Sequence, residues 1–166
     1  DKFIYTDLSK EFPGYEYSYG KSTYKGIDTG NGGAVYSEPG VYSNVALLDI
    51  ASQHPRSAIV LKYFGPYAQR YEDLVDTRIL VKHGDYEAAG KMFNGLLIPF
   101  LQDKQSAKDL AYALKIIIHI VYGMSSASFD NKFRHKDNHD NIIAKRGALF
   151  MLELKEQVQN MGFTVA

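Results

Sequence analysis

At 166 residues and 18.7 kDa the chain has the length for one domain with a sizeable core. Its 19 basic and 19 acidic residues cancel, which argues against a general nucleic-acid coat protein and leaves any such contact to local clusters. A hydrophobic fraction of 45% with 23% charge excludes intrinsic disorder, and the absence of cysteine excludes disulfides and thiolate metal sites.

In chain order, Asp1-Lys2-Phe3-Ile4-Tyr5 shows no initiator methionine and no signal-peptide pattern, so a piece of a longer protein is expected. Residues 1–43, rich in tyrosine and glycine with Gly30-Asn31-Gly32-Gly33 and Pro39-Gly40 as turn signals, predict irregular chain. Val45-Ala46-Leu47-Leu48-Asp49-Ile50 predicts a short buried strand whose carboxylate emerges at an edge, with Pro55 blocking its extension. From Tyr71 to Phe93 the spacing is helical, interrupted or divided at Gly84-Asp85. Ser106 predicts the N-cap of a long helix running to Gly123, and the two helical tracts suit an antiparallel hairpin. A polar loop over 124–140 precedes an amphipathic helix over about 141–161, and Gly162 leads into what reads as a strand.

On the long helix, Lys108, Tyr112, Lys115, His119 and Tyr122 recur at steps of four, three, four and three, which puts them on one face. Such a stripe of cations and hydrogen-bonding rings suits a groove for phosphates and bases, and it equally suits a solvated helix face. Asp49 at a strand end suits magnesium, which takes one or two carboxylates together with substrate phosphates; the same position also suits a turn former. Lys132, Arg134, Lys136, Lys145 and Arg146 stand against Asp130, Asp137 and Asp140, with Phe129 and Phe133 interleaved. That composition fits contact with template backbone, and also a solvated loop of mixed charge.

Three ordered segments carry a resemblance to family B DNA polymerases. Gly32-Gly33-Ala34-Val35 with Glu38-Pro39-Gly40-Val41-Tyr42 is similar to the glycine-rich lead-in of that family. Asp49-Ile50-Ala51-Ser52-Gln53-His54-Pro55-Arg56 resembles the first motif, Asp-x-x-Ser-Leu-Tyr-Pro-Ser. Lys115-Ile116-Ile117-Ile118-His119-Ile120-Val121-Tyr122-Gly123 resembles the second, Lys-x-x-x-Asn-Ser-x-Tyr-Gly. The match runs over roughly residues 15–166 and ends before the family's third motif, built around Asp-Thr-Asp. His54 in place of the sugar-facing tyrosine, Arg56 in place of serine, and His119-Ile120 in place of Asn-Ser mark a divergent, phage-like branch.

The resemblance implies an α+β fold, with a small antiparallel palm sheet, packed helices and a helical-hairpin fingers projection. It divides the chain into an irregular lead-in at 1–43, palm with the first motif at 44–65, fingers with the second motif at 66–123, and a palm return helix with a truncated strand at 124–166. It implies a DNA-directed DNA polymerase that adds deoxynucleotides to a primer 3′ end with two magnesium ions, this piece alone being inactive. Asp49 would be catalytic and, with the Ile50 carbonyl, would hold metal. Lys115, Arg78, Lys82, His54, His119, Tyr122 and Gly123 would meet the incoming nucleotide, and Lys132, Arg134, Lys136, Lys145 and Arg146 would meet DNA. The implied partners are primer-template DNA, deoxynucleoside triphosphates and the remainder of the polymerase chain, in the cytoplasm (of a host cell for a phage protein), with no membrane association. Two further readings stay open. One is a noncatalytic nucleic-acid-binding module that kept the fold, favoured by the departures at His54 and His119; the other is an unrelated protein using His119, His135 and His139 for a metal.

Overall fold

The computed structural model describes residues 8–19, 21–30, 32–129, 131 and 141–166. The fold is mixed α+β: the described residues hold six α-helices and one three-stranded antiparallel sheet. They fall into two compact units, one within Ala58–Arg134 and the other combining Tyr5–Ser57 with His135–Ala166. None of the helices is long and apolar enough to cross a membrane.

In the first unit, α3 (Ala68–His83) follows a 3-10 turn that starts Gly65-Pro66, where proline's missing N–H falls among donors that a helix start leaves unpaired. Gly84 ends α3 in the left-handed conformation at φ 81°, and its N–H reaches the Leu80 and Val81 carbonyls. Asp85 then caps α4 (Tyr86–Lys91) by accepting from the Ala88 N–H at 3.0 Å, so the expected junction at Gly84-Asp85 is a back-to-back stop and start. After α4, Phe93, Asn94 and Gly95 all take positive φ, reversing the chain toward α5 (Lys104–Ser126).

The N-cap of α5 is Asp103 rather than Ser106. Its carboxylate accepts from the backbone of Gln105 and Ser106 at 2.9 Å each, and Ser106 Oγ donates to it at 2.6 Å. Serine thus sits inside the first turn and adds a second bond to a stronger anionic cap. Nor does α5 stop at Gly123. Ser125 Oγ donates to the Tyr122 carbonyl at 2.8 Å and Ser126 Oγ to the Tyr122 and Gly123 carbonyls at 3.1 Å, which satisfies the last-turn acceptors and lets the helix run three residues on.

The hairpin expected of α3 and α5 is present and antiparallel. Tyr71, at the start of α3, donates its hydroxyl to the Ile118 carbonyl at 3.0 Å, while Val81 near the end of α3 clusters with Ala107 near the start of α5 and with Ala89 of α4. Burial pushes the Tyr71 hydroxyl well above its ordinary pKa, so it stays a donor. Its ring stacks on Phe64 with centroids 4.2 Å apart. The buried face of α5 reads Ala107, Leu114, Ile118, Val121 and Ser125, a single narrow stripe at helical spacing.

The second unit corrects the expectation about the sheet. Its strands are β1 (Tyr15–Ser18), β2 (Lys21–Tyr24) and β3 (Ile27–Asp28), all inside the stretch expected to be irregular, and Asp49 is on none of them. Tyr15 faces Tyr24 and Tyr17 faces Ser22 across β1 and β2. Between β2 and β3, Lys25 and Gly26 both take positive φ, the two-residue reversal whose twist matches paired strands. Residues 45–50 lie outside any strand, with Val45, Leu47 and Leu48 at 72%, 91% and 66% exposure, so apolar composition did not make a strand where no neighbouring backbone pairs with it. Residues 163–166 are likewise outside any strand, with Phe163 exposed.

Pro55 does not end a strand but lies in the first turn of α2 (Gln53–Val60), where its missing N–H costs nothing. The amphipathic helix expected over about 141–161 is α6 (Ile142–Asn160), capped by Asn141. Lys145 on α6 is 1% exposed, and its ammonium donates to Thr29 Oγ1 at 3.1 Å and to the carbonyls of Thr29 and Gly30, just after β3. Arg146 pairs with both Glu11 carboxylate oxygens at the end of α1 (Leu8–Glu11) and reaches Ser57 Oγ at 3.4 Å. Further along α6, Glu156 accepts from Lys25 at 2.5 Å and the Lys155 ammonium lies 3.3 Å from the Tyr36 ring centre. An added Cβ at Gly147 would come 2.7 Å from Gln53 Nε2, so glycine there lets α2 lie close against α6.

Two outcomes follow. Lys145→Met should leave the buried Thr29 acceptors without this donor and destabilise the chain by about 1.5–3 kcal/mol, read from urea denaturation. The Ser106 hydrogen bonds hold the Asp103 carboxyl below its ordinary value of 3.8. A depressed carboxylate contributes stability above its unfolded-state value and loses it as pH falls through the folded one. The excess stability of the wild type over Asp103→Asn should therefore be full above about pH 4 and shrink on further acidification, measured as paired urea midpoints across pH.

Candidate functional site

The first unit carries the candidate nucleotide residues of the helical hairpin. On α3, Arg78 is half-buried, and Lys82 one turn later is exposed. On α5, Lys108, Tyr112 and Lys115 are exposed, and His119 and Tyr122 are half-buried, all at spacings that keep them on one face. His119 Nδ1 lies 2.7 Å from the Lys115 carbonyl oxygen, a bond one turn back along the same helix. Gly123 is exposed, and an added Cβ there would meet nothing within 4 Å, so the backbone is open to close approach from outside. The isoleucines elsewhere on α5 are partly bare: Ile116, Ile117 and Ile120 are each about half exposed.

In the second unit, Asp49 is exposed in the irregular run before α2, with Ile50 half-buried next to it. Ser52 turns the chain at φ 59°, and α2 starts at the next residue, so His54 is the second residue of that helix and half-buried. The first motif thus maps onto an irregular segment, a turn and a short helix, with the carboxylate accessible four residues before the helix begins. Accessibility and one neighbouring carbonyl at Ile50 suit a single-carboxylate contribution to a magnesium ion that takes its remaining ligands from phosphates and water. Among the described residues, no three histidine or acidic side chains gather to hold a metal by themselves.

The expected DNA contacts divide. Lys145 does not offer its charge to DNA, because the ammonium is enclosed and satisfied by Thr29 and Gly30. Arg146 is likewise committed to Glu11, with a side chain only 13% exposed. Both are fasteners of the fold: positive charge in the sequence says nothing of which acceptors the chain will bring to it. Lys132, Arg134 and Lys136 lie outside the described residues, as do His135 and His139 of the alternative metal reading. Two structural contacts were not anticipated, the Lys155–Tyr36 and Lys25–Glu156 pairs. Only the placement of oppositely charged or aromatic partners more than a hundred positions away could have revealed them.

No family model, curated protein or solved structure matches the chain.

Proposed function

We propose that the chain is the palm-and-fingers portion of a DNA-directed DNA polymerase similar to family B, acting on primer-template DNA and deoxynucleoside triphosphates with magnesium. The observation that carries the reading is the second motif on α5. Lys115, His119 and Tyr122 share one accessible face of a helix that packs antiparallel to α3, the helix carrying Arg78 and Lys82. A cation on a rigid helix suits a triphosphate, since it neutralises charge without having to be ordered for the purpose.

In this reading Asp49, with the Ile50 carbonyl, contributes to holding magnesium, whose chemistry is to stabilise the attacking and leaving oxygens of an in-line phosphoryl transfer. Lys115, Arg78 and Lys82 bind the triphosphate. His54 meets the sugar, and Tyr122 with Gly123 meets the nascent base pair. The exposure of Asp49 supports a role in ligation rather than packing.

Lys115→Ala, made in the polymerase that carries this segment, should lower nucleotide incorporation at least about tenfold at constant DNA affinity, since a charge-assisted contact contributes ~1.5–3 kcal/mol. Lys115→Arg should restore part of the loss. Asp49→Asn should abolish incorporation while leaving the unfolding midpoint nearly unchanged. Near-normal incorporation by Asp49→Asn would overturn the metal assignment. Equal losses of DNA affinity and nucleotide use in Lys115→Ala would make α5 a backbone contact and favour the noncatalytic binding module. The measurements are steady-state incorporation and separate DNA titrations at one fixed salt concentration, because backbone binding is strongly salt-dependent.

A further inference from the structure

The first motif continues into α2, and α2 is keyed to α6 at two places. Gln53 and Ser57 stand one turn apart on one face of α2. They meet two consecutive residues of α6: Gln53 lies against Gly147, where a Cβ would come 2.7 Å from its Nε2, and the buried Ser57 Oγ accepts from Arg146 Nη1 at 3.4 Å. Arg146 is itself held from the other side. Its Nε and Nη2 donate to the two carboxylate oxygens of Glu11, a bidentate pair that sets the plane of the guanidinium and with it the direction of Nη1. The run that carries Asp49 pairs with no strand and enters α2 through Ser52, which turns at φ 59° and accepts from the Arg56 N–H at 2.9 Å. The rotation and height of α2 therefore set both His54, the residue after Gln53, and the point from which the Asp49 run departs.

Resting on the polymerase reading, we propose that Arg146 is a positioning residue for the first motif: held by Glu11, it places α2 through Ser57, and with α2 the His54 ring and the Asp49 carboxylate. The consequence falls on metal use and turnover rather than on template affinity. A carboxylate that shares a magnesium ion with substrate phosphates is sensitive to its placement, and a displacement of about 1 Å costs up to about a hundredfold in rate. Lysine at this position keeps a cation for Glu11 but has no planar fork, so it does not hold Glu11 and Ser57 together.

The test is made in the polymerase that carries this segment, with steady-state incorporation read against magnesium concentration, DNA titrated separately and a urea midpoint taken for each variant. Arg146→Lys should lower kcat about tenfold and raise the magnesium concentration for half-maximal rate, while KM for the nucleotide and DNA affinity stay at their wild-type values. Ser57→Ala, which keeps the Arg146–Glu11 pair, should reproduce both changes. The double variant should be no worse than either single one, because both remove the same link. A DNA contact at Arg146 would instead lower template affinity in Arg146→Lys and leave Ser57→Ala silent. A merely structural role would lower the urea midpoint at unchanged magnesium dependence. Either result overturns the proposal while an inactive Asp49→Asn still supports the polymerase reading. Near-normal incorporation by Asp49→Asn removes that reading and this inference together.

Discussion

Two adjacent cations on α6 hold the second unit together, and they do so by pointing at opposite ends of the same N-terminal stretch. Lys145 takes the chain immediately after β3 through Thr29 and Gly30, and Arg146 takes the end of α1 through Glu11. A three-stranded sheet with strands of four, four and two residues is too small to be stable unaided. It is secured at both ends by a helix more than a hundred residues away in sequence. An enclosed ammonium is costly unless every hydrogen finds an acceptor, and the two carbonyls and one hydroxyl around Lys145 meet that condition. Lys25 with Glu156 and Tyr36 with Lys155 add exposed ties, which contribute less because water competes for the same charges.

The first unit is organised by different means. Its stability rests on a narrow apolar seam between α3 and α5, sharpened by the buried Tyr71 hydroxyl bond and by the caps at Gly84, Asp85 and Asp103. Caps matter here because α4 has only six residues and could not persist without a fixed start and stop. With α5 held along one stripe only, its remaining circumference is accessible, and that is what leaves both the polar stripe from Lys108 to Tyr122 and the isoleucines 116, 117 and 120 partly in solvent.

These supports bear on function through rigidity and availability. Lys115 and His119 stand on a helix that is capped by Asp103 and packed against α3, so whatever they bind meets preplaced groups. Asp49 stands on an exposed segment outside any strand, so its position is governed by Ser52 and the start of α2 rather than by strand pairing. Lys145 and Arg146 show the opposite case. Their charges are consumed by the fold, and the positive charge of that part of the chain overstates what it can offer to a nucleic acid.

By itself the sequence determined the helices whose signals are local. The Gly84-Asp85 junction, the course of α5 and the extent of α6 were legible because apolar spacing and capping chemistry act within a turn or two. The candidate residues on α5 were legible as a face for the same reason. Only the tertiary structure decided the rest. Residues 45–50 have the composition of a strand, yet strand formation needs a partner's backbone, while the tyrosine-rich stretch at 15–28 acquired one from its own neighbours, β1 pairing with β2 and β2 with β3 across the Lys25-Gly26 reversal. Asp103 displaced Ser106 as cap because a carboxylate collects two backbone N–H groups and a hydroxyl at once. The burial of Lys145 was invisible in one dimension, since its acceptors at Thr29 and Gly30 lie more than a hundred positions away and become neighbours only when the sheet docks on α6.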